Sequence, residues 1–177
     1  MTNDITPIET NHAGRRFRSR TEARWAVFFD ALGWRYDYER EGYDLNGRWY
    51  LPDFYLPEQS LWVEVKGKAP TDEEKRLCHD LALLHGETVA LVVGPPAVGE
   101  DQWHIWNAIG EDRGPLVFLE DRRNAGEYWL SEMSEDYTVA STPVGKHAGE
   151  PHDRAPLMME GLRRAYGLAS AERFDGK

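Results

Sequence analysis

Between Ser19 and Gly33 the polar and apolar residues alternate at helical spacing. Ser19-Arg20-Thr21-Glu22 is a capping box, an apolar run continues to Leu32, and Gly33 provides a stop. Positions 22, 26, 29 and 33 share one face, which puts Glu22 above Ala26 and Phe29 on the side that meets a sheet. Trp34 to Tyr38 alternates aromatic and polar residues, as a strand does. Tyr43-Asp44-Leu45 and Arg48-Trp49-Tyr50-Leu51 flank Asn46-Gly47, the pair that a two-residue type I′ hairpin turn favours. Pro52 cannot donate to a ladder and interrupts pairing. Leu61, Val63 and Val65 then point to one side of a strand, and Trp62, Glu64 and Lys66 to the other. A second capping box, Thr71-Asp72-Glu73-Glu74, opens a helix in which Leu77, Leu81 and Leu84 recur at core spacing before Gly86. Thr88 to Val93 reads as a buried strand closed by Gly94-Pro95-Pro96. The expected order is α-β-β-β-α-β.

Past Pro96 the pattern weakens. Trp103 to Trp106 and Pro115 to Leu119 read as short strands, and Tyr128-Trp129-Leu130 as a further apolar patch; His104 is expected to pack rather than to ligate. Residues 136–156 contain turn-formers without periodicity and read as a loop or linker, in which His147 and His152 have no ligand partners. Leu157 to Tyr166 reads as a helix whose Met158, Leu162 and Ala165 dock on the core or on a partner, and Arg163, Arg164 and Arg173 are alternative substrate contacts. The organisation expected is a flexible N-terminus over 1–14, a main domain over 15–135, a linker over 136–156, and a C-terminal helix and tail over 157–177.

With 177 residues, 41% of them hydrophobic, the chain can bury a core without disulfide staples. Its single cysteine, Cys78, excludes an intramolecular disulfide and a cysteine-rich zinc site, and it lies on the Leu81 side of its helix, where a buried thiol is expected. The absence of a long apolar run or a secretory pattern leads to the expectation of a cytoplasmic protein with no membrane partner. The net charge of −10 disfavours general attraction to a polyanion. Its distribution is uneven, because Arg15, Arg16, Arg18, Arg20 and Arg24 cluster beside the helix that carries Glu22. These arginines are either phosphate contacts or a solvated basic tail.

The candidate chemistry lies at Asp53, which follows Pro52, and at Glu64-Val65-Lys66. Two carboxylates and an amine on adjoining strands suit phosphodiester hydrolysis, which needs hard oxygen ligands for Mg²⁺ and a cation beside a dianionic transition state. Pro52-Asp53 and Glu64-x-Lys66 resemble the two motifs of the PD-(D/E)XK nuclease superfamily, and the element order is similar to that of its core.

The resemblance covers roughly residues 15 to 96 and implies an α/β fold with a restriction-endonuclease-like core, a mixed central sheet flanked by helices, followed by a C-terminal extension. It implies a Mg²⁺- or Mn²⁺-dependent DNA endonuclease that leaves 5′-phosphate ends. Asp53, Glu64 and the main-chain carbonyl of Val65 would hold the ion, and Lys66 would orient or help deprotonate water. Glu22 matches the first-helix glutamate of resolvase-like members and would join the ion's shell; a purely capping role is the other reading. Arg15, Arg16, Arg18, Arg20, Lys68 and Lys75 are the candidate nucleic-acid contacts. Lys75 and His79, one turn apart, are either an auxiliary site or a solvated face. The chain looks most like small stand-alone nucleases of phages and mobile elements, acting in a bacterial or phage-infected cell. A homodimer that places two sites on two strands, and target choice by DNA structure, follow from the same resemblance. RNA as a substrate stays open, and so does a noncatalytic nucleic-acid- or protein-binding accessory protein with the same fold.

Overall fold

The computed structural model describes residues 7–97, 103–107, 109–120, 128–131, 141–144 and 160–174. The described residues form a mixed α/β protein with three helices and a mixed sheet. It begins with a hairpin, Thr10–His12 (β1) against Arg15–Phe17 (β2), turned at Ala13 and Gly14, both at positive φ. The flexible N-terminus expected up to residue 14 is therefore corrected over 10–14. Phe17 is fully buried and anchors the hairpin to the core.

Helix α1 (Arg20–Ala31) starts where the Ser19 hydroxyl accepts the Glu22 N–H at 3.1 Å, satisfying a donor the helix leaves free. It ends at Leu32, and Gly33 follows at φ +71°. Trp25, Phe28 and Phe29 are fully buried.

Strand β3 is only Asp37–Tyr38, shorter than the alternation over 34–38 suggests, because Trp34 and Tyr36 pack as aromatic rings against Phe29 rather than pairing. Strands β4 (Tyr43–Asp44) and β5 (Trp49–Tyr50) form the expected hairpin as a separate two-stranded sheet, with Asn46 and Gly47 at φ +56° and +83°. Strands β6 (Phe54–Leu56) and β7 (Leu61–Lys66) run antiparallel. Helix α2 (Asp72–His85), with both halves of its capping box formed, then crosses to β8 (Thr88–Val93), which is parallel to β7.

Strand β9 (Trp103–Trp106) matches expectation, and β10 (Asp112–Glu120) and β11 (Tyr128–Ser131) extend beyond the short patches read from the sequence. Ser141–Val144 forms β12 on the edge of the sheet, paired with β11, which corrects the loop expected over 136–156 for these four residues. Pro143 is compatible with an edge strand, where, among the described residues, one side of the ladder carries no partner. The other linker residues, with His147 and His152, lie outside the described residues, as do Leu157 to Met159 of the expected C-terminal helix. Helix α3 is Glu160–Ala171.

The eight-stranded sheet has the order β12-β11-β10-β9-β8-β7-β6-β3. One face carries Leu61, Val63, Val65, Ala90 and Val92 against α1 and α3; the other carries Trp62, Val89 and Leu91 against Cys78, Leu81 and Ala82 of α2 and Tyr50 of the hairpin. On α3, Leu162, Ala165, Tyr166 and Ala169 are buried, and the Tyr166 ring lies 4.8 Å from that of Phe28, so this helix docks on the core. Leu84 is exposed, contrary to expectation. It lies in line with half-buried Leu77, whereas the buried side of α2 centres on Cys78, Leu81 and Ala82, roughly a quarter turn away. No described helix is long and apolar enough to cross a membrane.

Candidate active site

Pro52 ends the hairpin pairing, and the next carbonyl, that of Asp53, accepts the Glu39 N–H at 2.8 Å. The Asp53 side chain turns onto β7, where Oδ2 accepts the backbone N–H of Val65 at 2.8 Å. N–H and C=O of one strand residue point to the same side, so the Val65 carbonyl also faces Asp53 rather than the β8 ladder.

Glu64 projects from β7 toward α2. The Tyr50 hydroxyl donates to its Oε2 at 2.8 Å, and Lys66 Nζ pairs with its Oε1 at 2.8 Å. Lys66 also reaches Glu74 Oε1 at 3.1 Å, while Glu74 Oε2 accepts the Thr71 N–H. One glutamate thus caps α2 and holds the lysine.

Glu22 takes part in an altered capping arrangement. Its Oε2 accepts the Tyr38 hydroxyl at 2.5 Å and the Arg18 N–H at 3.2 Å, and its Oε1 accepts the Ser19 hydroxyl at 2.7 Å. The Arg18 guanidinium donates to Asp53 Oδ1 at 3.0 Å and pairs through Nε with Glu39.

Glu22, Asp53 and Glu64 are the three buried acids among the described residues. Burial, and then the charges of Glu64 and Glu22, push the Asp53 carboxyl well above its ordinary range; the Val65 N–H and Arg18 offset part of this. Burial disfavours the charge on Lys66, but Glu64 and Glu74 outweigh it and raise its pKa, so the amine stays protonated. The Tyr50 hydroxyl is raised by burial, then by Cys78 and Glu64, and the Tyr38 hydroxyl by burial and its bond to Glu22, so both act as donors.

The residues read as a site therefore fall into two groups. Asp53, Glu64, Lys66 and the Val65 backbone adjoin one another, and Glu22 is close enough to raise the Asp53 pKa. Among the described residues, Arg18 is the one of the six expected nucleic-acid contacts that touches these acids. Arg15 lies over the Tyr36 ring at 5.1 Å, and Arg16 pairs with Glu9 at 2.9 Å, which sets both in an ordered hairpin rather than a basic tail. Arg20 and Lys68 are exposed and Lys75 is half-buried, while His79 pairs with Asp80 at 2.9 Å. His104 stacks on Trp106 and pairs with Asp112, the packing role expected of it.

Among the described residues, no three or more His, Cys, Asp or Glu side chains are grouped so as to hold a metal ion. Arg18 lies against Asp53 and Lys66 against Glu64, so the chain's own cations neutralise the acids in this arrangement.

The sequence reading missed Tyr38 as a partner of Glu22, Tyr50 as a partner of Glu64, Glu74 as a partner of Lys66, and Arg18 as a partner of Asp53. A signal existed for Tyr50. In a hairpin with register fixed by Asn46-Gly47, Trp49 and Tyr50 must face opposite ways; Trp49 is 74% exposed and Tyr50 is buried.

No protein-family model, curated protein or solved structure matches this chain.

Proposed function

We propose that the chain is a metal-dependent endonuclease of the PD-(D/E)XK type, with a restriction-endonuclease-like core that hydrolyses DNA phosphodiester bonds to 5′-phosphate and 3′-hydroxyl ends. The observation that carries this reading is the Val65 N–H bound to Asp53, which brings the acid after Pro52 onto the strand bearing Glu64 and Lys66. The sequence α1, β3, β6, β7, α2, β8, with the β4–β5 hairpin set outside the main sheet, is consistent with the α-β-β-β-α-β order of that core.

The donor set fits Mg²⁺ or Mn²⁺: it is all oxygen, and burial and the acidic neighbours of Asp53 disfavour its charged form, a conflict that a bound cation would relieve. Asp53, Glu64 and the Val65 carbonyl would hold the ion, and Glu22 would join directly or through water. When bound, the ion supplies charge neutralisation for the transition state and lowers the pKa of water. Lys66, kept protonated, orients the attacking water and leans on a phosphate oxygen instead of acting as a base. Tyr50 fixes the Glu64 carboxylate, and Glu74 holds Lys66 from the other side. The water oxygen bonds to phosphorus and gives its proton to bulk water, the bond from phosphorus to the 3′ oxygen breaks, and that oxygen takes up a proton from bulk water.

The net charge of −10 favours a second reading, a noncatalytic binding module. One experiment separates the two: cleavage of duplex, single-stranded, flapped and four-way-junction DNA, and of RNA, with Mg²⁺, Mn²⁺ or EDTA, comparing wild type with Lys66→Ala. Metal-dependent cutting lost in the variant supports the nuclease. Failure to cut any substrate favours the binding module.

A further inference from the structure

Asp53 has two oxygens with different occupants. Oδ2 is committed to the Val65 N–H inside the sheet, and Oδ1 is taken by the Arg18 guanidinium. The side chain of Asp53 is 5% exposed and that of Arg18 is 54% exposed, so the guanidinium lies between a buried acid and solvent. Its backbone is fixed separately, with the Arg18 N–H reaching Glu22 Oε2 and the Tyr38 oxygen. The guanidinium can therefore leave Asp53 without moving β2 or α1. Glu39, a quarter exposed, holds the same guanidinium through Nε and gives it a second acid on which to rest. Lys66 differs, since its amine is held between Glu64 and Glu74 and is 24% exposed.

A guanidinium is weakly hydrated and matches phosphate as well as carboxylate, so a nucleic-acid phosphate can compete for it. We propose that Arg18 is a displaceable counter-ion, which covers Asp53 against divalent cations in the free protein and transfers to a substrate phosphate, so that metal and nucleic acid bind cooperatively through Asp53. This rests on the nuclease reading of the site. Thermodynamic reciprocity follows: whatever factor nucleic acid adds to metal affinity, metal adds to nucleic-acid affinity.

The test is calorimetric Mn²⁺ binding to the full chain without nucleic acid, for wild type, Arg18→Gln, Arg18→Lys and Asp53→Asn, with circular dichroism to confirm folding. Arg18→Gln should bind Mn²⁺ more tightly by about five- to a hundredfold, the usual span of such couplings. Arg18→Lys serves if the glutamine variant fails to fold; a strongly hydrated ammonium cannot bridge Asp53 and Glu39 as the planar fork does, so it too should bind more tightly than wild type. In wild type, a phosphorothioate duplex should raise Mn²⁺ affinity, and by a smaller factor once Arg18 is replaced. Mn²⁺ binding that is lost in Asp53→Asn but equal in wild type and the Arg18 variants overturns the inference and leaves the nuclease reading standing. Absence of Mn²⁺ binding to folded wild type and variants overturns both.

Discussion

The side chain of Asp53 and the main chain of Val65 are joined by a 2.8 Å hydrogen bond that links the turn after Pro52 to the C-terminal end of the strand carrying Glu64 and Lys66. The bond satisfies a backbone donor that the short β6 leaves beyond its last pair, Phe54 with Val63. It also carries a carboxylate into a buried position, where Glu22 and Glu64 are buried as well. A structural need and a charge conflict thus meet in one residue, which is how functional sites commonly differ from the rest of a core.

Asp53→Asn keeps an oxygen for the Val65 N–H and removes the disfavoured charge. The expected outcome is loss of cleavage with unchanged or increased thermal stability in EDTA. The native pKa of Asp53 lies above its unfolded value, so the native state binds more protons than the unfolded one. Its contribution to stability is present below about pH 4 and is lost as pH rises through the raised native pKa. Metal-free wild type should therefore lose stability over that interval, and Asp53→Asn should show a flatter profile. Thermal melts across the acid-to-neutral range check both statements; a variant clearly less stable than wild type at neutral pH would contradict them.

Tyr50→Phe removes the donor to Glu64 Oε2 in a buried setting. A hydrogen bond to a charged group contributes about 1.5–3 kcal/mol, so urea unfolding should show a loss of that order. Partners that orient metal ligands change metal affinity or activity by roughly 10–100-fold, and a loss in that range is expected in Mn²⁺ titrations. Wild-type metal affinity in Tyr50→Phe would confine the tyrosine to packing.

The two helix caps and the Asn46-Gly47 turn were legible because each depends on neighbours in sequence: a hydroxyl three residues before a backbone donor, or two adjacent residues able to adopt positive φ. Asp53, Glu64 and Lys66 were legible because strand alternation and a proline fix their directions locally. Arg18 on Asp53, Tyr50 on Glu64 and Tyr38 on Glu22 span 35, 14 and 16 residues, and no local period encodes such pairs. Ser141–Val144 escaped for a related reason, since what makes it a strand is the free edge of β11 rather than its own composition.

Glu74→Gln separates two tasks of one side chain. Glutamine still serves in a capping box, but the ionic hold on Lys66 is lost. Burial works against the Glu74 charge, but hydrogen bonds from Thr71 and Lys66 outweigh it and lower its pKa. Its contribution to stability is therefore present above the unfolded value, about pH 4.3, and disappears as pH falls through the lower native one. The variant should lose less than about 1 kcal/mol at neutral pH, as partly exposed pairs do, and should lack that acid-side decline. Cleavage should fall through kcat, because Lys66 keeps one anchor instead of two. Urea titrations at several pH values and steady-state kinetics read the two effects separately.

Leu162→Ala tests whether α3 belongs to the same cooperative unit as the site. Leu162 is fully buried on the α1 face of the sheet, and truncating such a leucine costs about 2–5 kcal/mol. Cys78 lies on the opposite face, fully buried, with its thiol pKa raised by burial and by Glu64, so it is inert to thiol reagents until the protein opens. If the two faces unfold together, a loss of 2 kcal/mol in Leu162→Ala should speed native-state labelling of Cys78 by roughly 30-fold, because the open population rises by that factor. If α3 detaches alone, the labelling rate stays at the wild-type value while the helical signal melts earlier. The first result would make the C-terminal helix part of the scaffold that holds Asp53 against Val65. The second would make it a separable layer over α1, and a chain shortened before Glu160 should then retain metal binding.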